Sequence, residues 1–240
     1  MSQYPMYGRS PGVPIDYEQR MDAGVLARFF NSVYAWMAAG LGVTALVALC
    51  VSSRPDVFHF VARSWLILVV LELVLVFTVS AAIRRISATT ATILFLLYAA
   101  INGALLSGIL LVYAGAVIAS AFMVTAGMFA AMSVYGFVTK RDLTSMGGFL
   151  FMALIGLVLA SLASLFWHNT VLTVLINYVG VLIFVGLTAY DTQKLKQMAL
   201  ATQGNAALAA RLSISGALAL YLDFLNLFLL LLRILGDRNR

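Results

Sequence analysis

At 240 residues, 63% of them hydrophobic and only 10% charged, the chain departs from a soluble domain, which is about half apolar and a quarter charged. Its mean hydropathy of +1.01 and its repeated apolar runs near 20 residues exclude an ordinary soluble enzyme and identify a polytopic membrane protein, since such runs cross a hydrocarbon core of ~30 Å. The formal charge of +6 comes from bases strewn singly or in pairs between apolar runs, with no continuous basic patch for nucleic acid, so membrane topology explains them better.

Residues 1–30 read as a polar, flexible tail with Pro5, Pro11 and Pro14, several tyrosines and mixed charges, holding a short interfacial helix from Tyr17 to Phe30. No secretory signal is expected: the first apolar run starts near Val33, behind a polar leader, and ends in "CVSSR" without a cleavage site. Seven spans follow, at roughly 33–51, 64–83, 91–112, 116–138, 147–167, 171–190 and 212–232. Each is long enough for a helix across the bilayer, and helices are required because backbone groups in lipid must be paired within the segment. None contains proline; Pro55 lies in the first loop. The expected domain is therefore 31–234, with 235–240 as a short basic tail. Cys50, alone in "TALVALCV", reads as a small buried apolar residue, with no disulfide or cysteine metal cluster.

Small residues recur at four-residue spacing, as Ala99, Gly103 and Ser107 in the third span and Gly156, Ala160 and Ser164 in the fifth. Ordinary packing between helices inside the bundle accounts for both stripes. Orientation follows from the bases. A cytoplasmic amino terminus puts Arg9, Arg20, Arg28, Arg84, Arg85, Lys140, Arg141, Lys194, Lys196 and Arg211 inside, ten of the fifteen, as the positive-inside bias requires. Arg233, Arg238 and Arg240 then fall outside, unless the last segment dips in and returns.

Three acids remain in or at the edge of the spans: Glu72, Asp191 and Asp223. Such residues are costly at membrane depth and normally face the bundle interior or a wet cavity. Asn177, Phe184, Thr188 and Asp191 share one helix face by their spacing, and Asn226 stands one turn beyond Asp223. Antiparallel neighbours make a meeting of Asp191 with Asp223 plausible, although Asp191 lies near one surface and Asp223 nearer mid-membrane. Two carboxylates held together repel and titrate as a unit, and oxygen-rich sites suit protons or hard cations such as calcium, with backbone carbonyls or waters completing a sparse shell. The alternatives are a structural network that pairs each acid with a base or hydroxyl, and contact with a membrane-protein partner. Glu72 would be satisfied by Asn102, a tyrosine or a serine. Arg84 and Arg85 either snorkel to lipid phosphate or reach Asp191. Enzyme signals are weak: His59 and His168 are the two histidines, and neither H-E-x-x-H nor G-x-S-x-G occurs. An intramembrane aspartyl protease would need two opposed acids, and nothing further in the sequence supports one.

The segments "AYDTQKLK" and "ALYLDFLNLFLLLLRILG", with Glu72 and the basic pair behind it, resemble the transmembrane Bax inhibitor motif family in its bacterial branch, over roughly residues 25–238. The resemblance implies an all-α integral membrane protein of the bacterial cytoplasmic (inner) membrane, with six helices around a central seventh. It also implies a pH-sensitive calcium leak channel without a resident cofactor, in which Asp191 and Asp223 share a proton and line the ion path. Arg84 or Arg85 would latch the closed state. The implied partners are lipid, protons and calcium, with Asp191 and Asp223 as ligands of the passing ion. Some bacterial members are similar instead to modulators of a membrane-bound protease, so a non-enzymatic regulator or scaffold with a membrane-protein partner is the second expectation.

Overall fold

A computed structural model describes residues 15–82, 85–164, 166–167, 169–202 and 205–237. Among them the fold is all-α: α1 (Ile15–Ser52), α2 (Pro55–Arg63), α3 (Trp65–Ala82), α4 (Ala88–Leu106), α5 (Ile109–Val112), α6 (Gly115–Val138), α7 (Thr144–Ser164), α8 (Thr170–Ala201) and α9 (Ala206–Asp237). Six helices have the length and apolarity to cross a membrane. The pair α2–α3, bent by 70°, makes a seventh when it is counted as one broken span. Pro55 at the first turn starts α2, where its missing N–H costs nothing, and the bend falls at Ser64, whose N–H closes α2 on the carbonyls of Phe60 and Val61.

Two ends differ from the expected spans. Helix α1 begins at Ile15 and runs unbroken through the first span, so the expected Tyr17–Phe30 helix is continuous with it. Phe29 and Phe30 are buried there, and the Phe30 ring stands edge-on to Phe137 at 5.1 Å. Residues 1–14 and 238–240 lie outside the described residues. Helix α8 continues to Ala201, well past residue 190, because its polar last turns are held by neighbouring helices. Helix α9 is likewise unbroken to Asp237, and Gly236 lies against the Tyr113 ring at the end of α5. A last segment that dips in and returns is therefore not what the chain forms; the broken element is the second span.

The bundle is built on α9. It packs directly against α1, α4, α6 and α8, while α3 lies on α4 and α7 on α8. Of the six helices long and apolar enough to cross singly, α9 is the most buried and α7 the least. Six helices thus surround a central C-terminal one, four touching it and two forming an outer rank. The third-span stripe packs inside, as expected: Ala99, Gly103 and Ser107 are buried, and Gly103 lies on the Thr44 backbone of α1. The fifth-span stripe does not pack in this way, for Gly156 is exposed with open space where a side chain would stand.

The α3–α4, α6–α7 and α8–α9 connections lie on one face, with Arg85, Lys140 and Arg141, called here the basic face. Asp142 helps start α7 there. It accepts the Thr144 N–H at 2.9 Å, and its hydrogen bonds with Thr144 hold this exposed carboxyl below the usual carboxylate range.

Positive-inside bias puts the basic face in the cytoplasm. Leu143 is buried, so the exposed Ser145 is the better labelling position. Cys50, expected to be buried, is exposed on α1, where a small apolar side chain is as well placed against lipid as in a core. With it changed to Ser, Ser145→Cys should react in intact cells with a membrane-permeant maleimide and not with an impermeant one; impermeant labelling would invert the topology. Packing makes a second expectation. A Cβ on Gly136 of α6 would run into the Ala189 carbonyl of α8, whereas one on Gly127 meets nothing. Gly136→Ala should lower stability by about 1–3 kcal/mol in a thermal or denaturant melt, and Gly127→Ala should leave it unchanged or slightly raised.

Candidate functional site

The two acids sit on the longest antiparallel contact, α8 against α9. Its register is marked at both ends by a leucine seated on a glycine: Leu195 of α8 on Gly216 of α9, and Leu230 of α9 on Gly180 of α8. Interpolating between these points puts Asp223 level with Thr188. Asp191 lies about one helical turn nearer the basic face, an axial offset of roughly 5 Å. The depth difficulty seen in the sequence is reduced to a single turn, because α8 extends beyond Asp191 and α9 starts well before Asp223.

Asp223 is 5% exposed, and its Oδ2 is buried without a hydrogen-bond partner. The charge of Asp191 acts on it across the seam. Asp191 is half-buried, and among the described residues no hydrogen bond or ion pair reaches its carboxylate; the charge of Lys194, on the same helix, acts on it. Thr188 is fully buried and donates its proton to Phe184 O at 2.8 Å, which leaves its lone pairs as acceptors level with Asp223. On the side away from the basic face Phe184, Leu187, Leu227, Leu230 and Leu231 belong to one buried apolar cluster along the α8–α9 seam.

Most of the rest of "AYDTQKLK" is bound to neighbouring helices. The Tyr190 ring lies on Gly147 of α7, where no Cβ would fit. Thr192 gives its proton to Thr188 O at 2.7 Å and, with that proton committed, accepts from Ser133 of α6 at 3.0 Å, which accepts from Tyr34 of α1 at 2.9 Å. Gln193 clamps the α6–α7 connection, accepting the Leu143 N–H and donating to Arg141 O, both at 2.8 Å. Lys196 reaches the Phe137 carbonyl at 2.9 Å and stacks over its ring. Within this motif Asp191 and Lys194 are the charged side chains that no such bond holds, and Lys194 stands over the Tyr190 ring of its own helix at 5.7 Å. Sequence reading passed over Tyr34, Ser133 and Gln193 and took Lys196 only as a cytoplasmic base; the polar spacing of the α8 end was the available signal.

Across α9 lies a second polar group. The Tyr221 hydroxyl donates to Thr44 Oγ1 at 2.6 Å, and Thr44 shares its own proton between Ala99 O at 2.9 Å and Gly40 O at 3.0 Å. Glu72 acts electrostatically on both Tyr98 and Tyr221. Asn102 does not satisfy it: Glu72 Oε1 and Asn102 Nδ2 are both buried without a hydrogen-bond partner. Asn177 is 2% exposed and its Oδ1 is also unpartnered, while Asn226 turns its amide back to Leu222 O at 2.8 Å. Arg85 is exposed at the α3–α4 turn, and Arg84 lies outside the described residues. Among the described residues no group of three His, Cys, Asp or Glu side chains gathers as a metal site. A cation beside the two aspartates would need carbonyl, hydroxyl or water oxygens to complete its shell.

Comparison with known proteins follows the same residues. The family model described as inhibitor of apoptosis-promoting Bax1 matches residues 26–240. The inner membrane protein YbhL of Escherichia coli K12 is 51% identical over 219 residues, covering 89% of this chain and 93% of YbhL. A Deinococcus radiodurans protein is 46% identical over 211 residues, covering 88% and 91%. A Caulobacter vibrioides protein is 38% identical over 245 residues, covering 97% of each.

The Gln193 clamp yields a prediction. Gln193→Ala removes an acceptor from the Leu143 N–H and a donor from Arg141 O. It should cost about 1–3 kcal/mol and raise amide exchange in residues 139–143, read by exchange mass spectrometry. Unchanged exchange would show that the connection is held by other contacts.

Proposed function

This chain belongs to the Bax inhibitor family, in its bacterial branch, and we propose that it is a pH-sensitive, calcium-permeable leak channel of the bacterial inner membrane, gated by Asp191 and Asp223. One observation carries the reading: the buried Asp223 oxygen without a donor, within electrostatic reach of an acid that is itself unpartnered. A structural network would supply partners, as this same helix end does for Thr192, Gln193 and Lys196. The acids are left instead to protons and passing cations. No catalytic role is assigned to any residue.

The gating step is electrostatic. With one proton held between them, the pair carries a single charge and the apolar seal of the α8–α9 seam stays closed. Loss of that proton sets two like charges roughly 5–8 Å apart, a repulsion of about 2–3 kcal/mol at an effective dielectric of ~20. That shifts an open–closed equilibrium by a factor of roughly 30–150. The same charges also bind a divalent cation more tightly, which slows its exit. These effects act oppositely on flux, so the reading predicts pH dependence and leaves its sign to measurement. Arg84 or Arg85 is the proposed latch on Asp191, and Glu72, Asn177, Thr188 and Asn226 the supporting polar groups.

A second reading, a membrane regulator or scaffold acting on another membrane protein such as a protease, is favoured by α7. Its outer face exposes Phe149, Phe151, Met152 and Ile155 together with the unfilled Gly156, a surface that fits a partner helix.

Proteoliposomes loaded with a calcium indicator distinguish the two. The wild-type protein should admit calcium at a rate that varies between about pH 5 and 8, the range of a shared carboxyl proton. Asp191→Asn and Asp223→Asn should each flatten that profile, and the double variant should add little to the stronger single one, because the acids act as a unit. Variants that lose yield while keeping the pH profile would make the acids structural. Folded wild-type protein that passes no more calcium than empty vesicles would defeat the channel and leave the regulator.

A further inference from the structure

A cleft of about 160 Å³ opens in the side of the bundle, in the half away from the basic face, and is lined from α1, α4–α5, α6 and α9. Its origin is a divergence of two helices. Near the basic face α1 and α6 touch, through Phe30 on Phe137 at 5.1 Å and Tyr34 on Ser133 at 2.9 Å. Further along they part. Ala45 and Ala48 of α1 form one wall, Ile118 and Phe122 of α6 the other, and Phe224 and Phe228 of α9 the floor. Phe122 meets both floor rings edge-on, at 5.4 and 6.4 Å, and is itself 46% exposed at the rim.

We propose that this cleft binds one acyl chain of a bilayer phospholipid. Thr44 is the one polar residue in its lining, and that hydroxyl is engaged by Tyr221, Ala99 and Gly40. Water requires two to four polar partners and finds none to spare here. A helix, of a second copy or of another protein, is about 10 Å across with its side chains and is too wide for the space. A hydrocarbon chain is narrow and flexible and needs no hydrogen bonds. The cleft lies between spans and its rim is continuous with the exposed apolar surface at Leu111 and Phe122, so the surrounding bilayer delivers that ligand directly. The occupant restores dispersion contacts that an unfilled apolar gap forfeits. It also rests on Phe224, the neighbour of Asp223 on the central helix, so lipid bears on α9 at the level of the buried acid. The site stands whether or not the chain conducts calcium.

Native mass spectrometry of the full chain, washed in a delipidating detergent, tests this. The wild type should retain one phospholipid, and Ala45→Phe/Ala48→Phe, which fills the cleft, should lose it while keeping its helical circular dichroism. Phe151→Ala, on the outer face of α7, should retain it. A wild type that washes free of lipid, or a filled variant that keeps it, overturns the proposal. A second measurement covers a filled variant that fails to fold. With Trp36, Trp65 and Trp167 changed to Phe, the Phe228→Trp protein is washed and reloaded with phosphatidylglycerol brominated at mid-chain. Quenching of the new indole by the retained lipid supports the site, and undiminished fluorescence overturns it.

Discussion

In a hydrocarbon surrounding, every polar group must find its partner within the protein, and the rest of this structure follows from how that demand is met. Hydroxyls are discharged first, onto the helix that carries them. Thr78, Thr125, Thr188 and Thr192 each donate to the carbonyl one turn back, at 2.7–2.8 Å. Where such a hydroxyl faces another helix, its lone pairs are still open, and those are used to connect segments: Ser133 joins Tyr34 to Thr192, and Thr44 receives Tyr221. Interhelical hydrogen bonds of this kind give modest energy but set the angular position of each helix.

Against that economy the unpartnered groups are informative. Asp223 Oδ2, Glu72 Oε1, Asn177 Oδ1 and Asn102 Nδ2 are buried without partners among the described residues. They do not form one cluster. Tyr221 faces Thr44 of α1, while Asp223, two positions on and so on the opposite side of α9, faces the α8 seam. The central helix therefore separates two polar environments, one joined to α1 and α4 and the other to α8. A rotation or shift of α9 would act on both together.

Close helix approach makes this arrangement possible. Gly136 allows α6 to reach the Ala189 backbone, and Gly147 accepts the Tyr190 ring, so the residues flanking Asp191 are fixed on two sides while its carboxylate is not. Gly180 and Gly216 receive Leu230 and Leu195 and lock the α8–α9 register. A slip of one turn along that seam would carry Asp223 past Thr188 and lose both glycine contacts at once.

Much was legible in the chain itself. The run lengths locate the six long helices and the bent α2–α3 pair, the apolar composition requires helices, and the cost of a carboxylate at membrane depth singles out Asp191, Asp223 and Glu72 before any contact is known. The inward small-residue stripe of α4 was legible too, whereas in the α7 stripe Gly156 faces open space and Ala160 and Ser164 are only half-buried, because spacing marks a smooth face and not what lies against it. What the sequence could not determine is depth and partnership. Helical periodicity sets the direction of a side chain around its axis and is silent on axial offset, so the one-turn stagger of the acids came only from the leucines seated on Gly180 and Gly216. The same limit hid Tyr34, Ser133 and Thr192, whose residue numbers span more than 150 positions and whose hydroxyls meet only because α1, α6 and α8 converge at one end of the bundle.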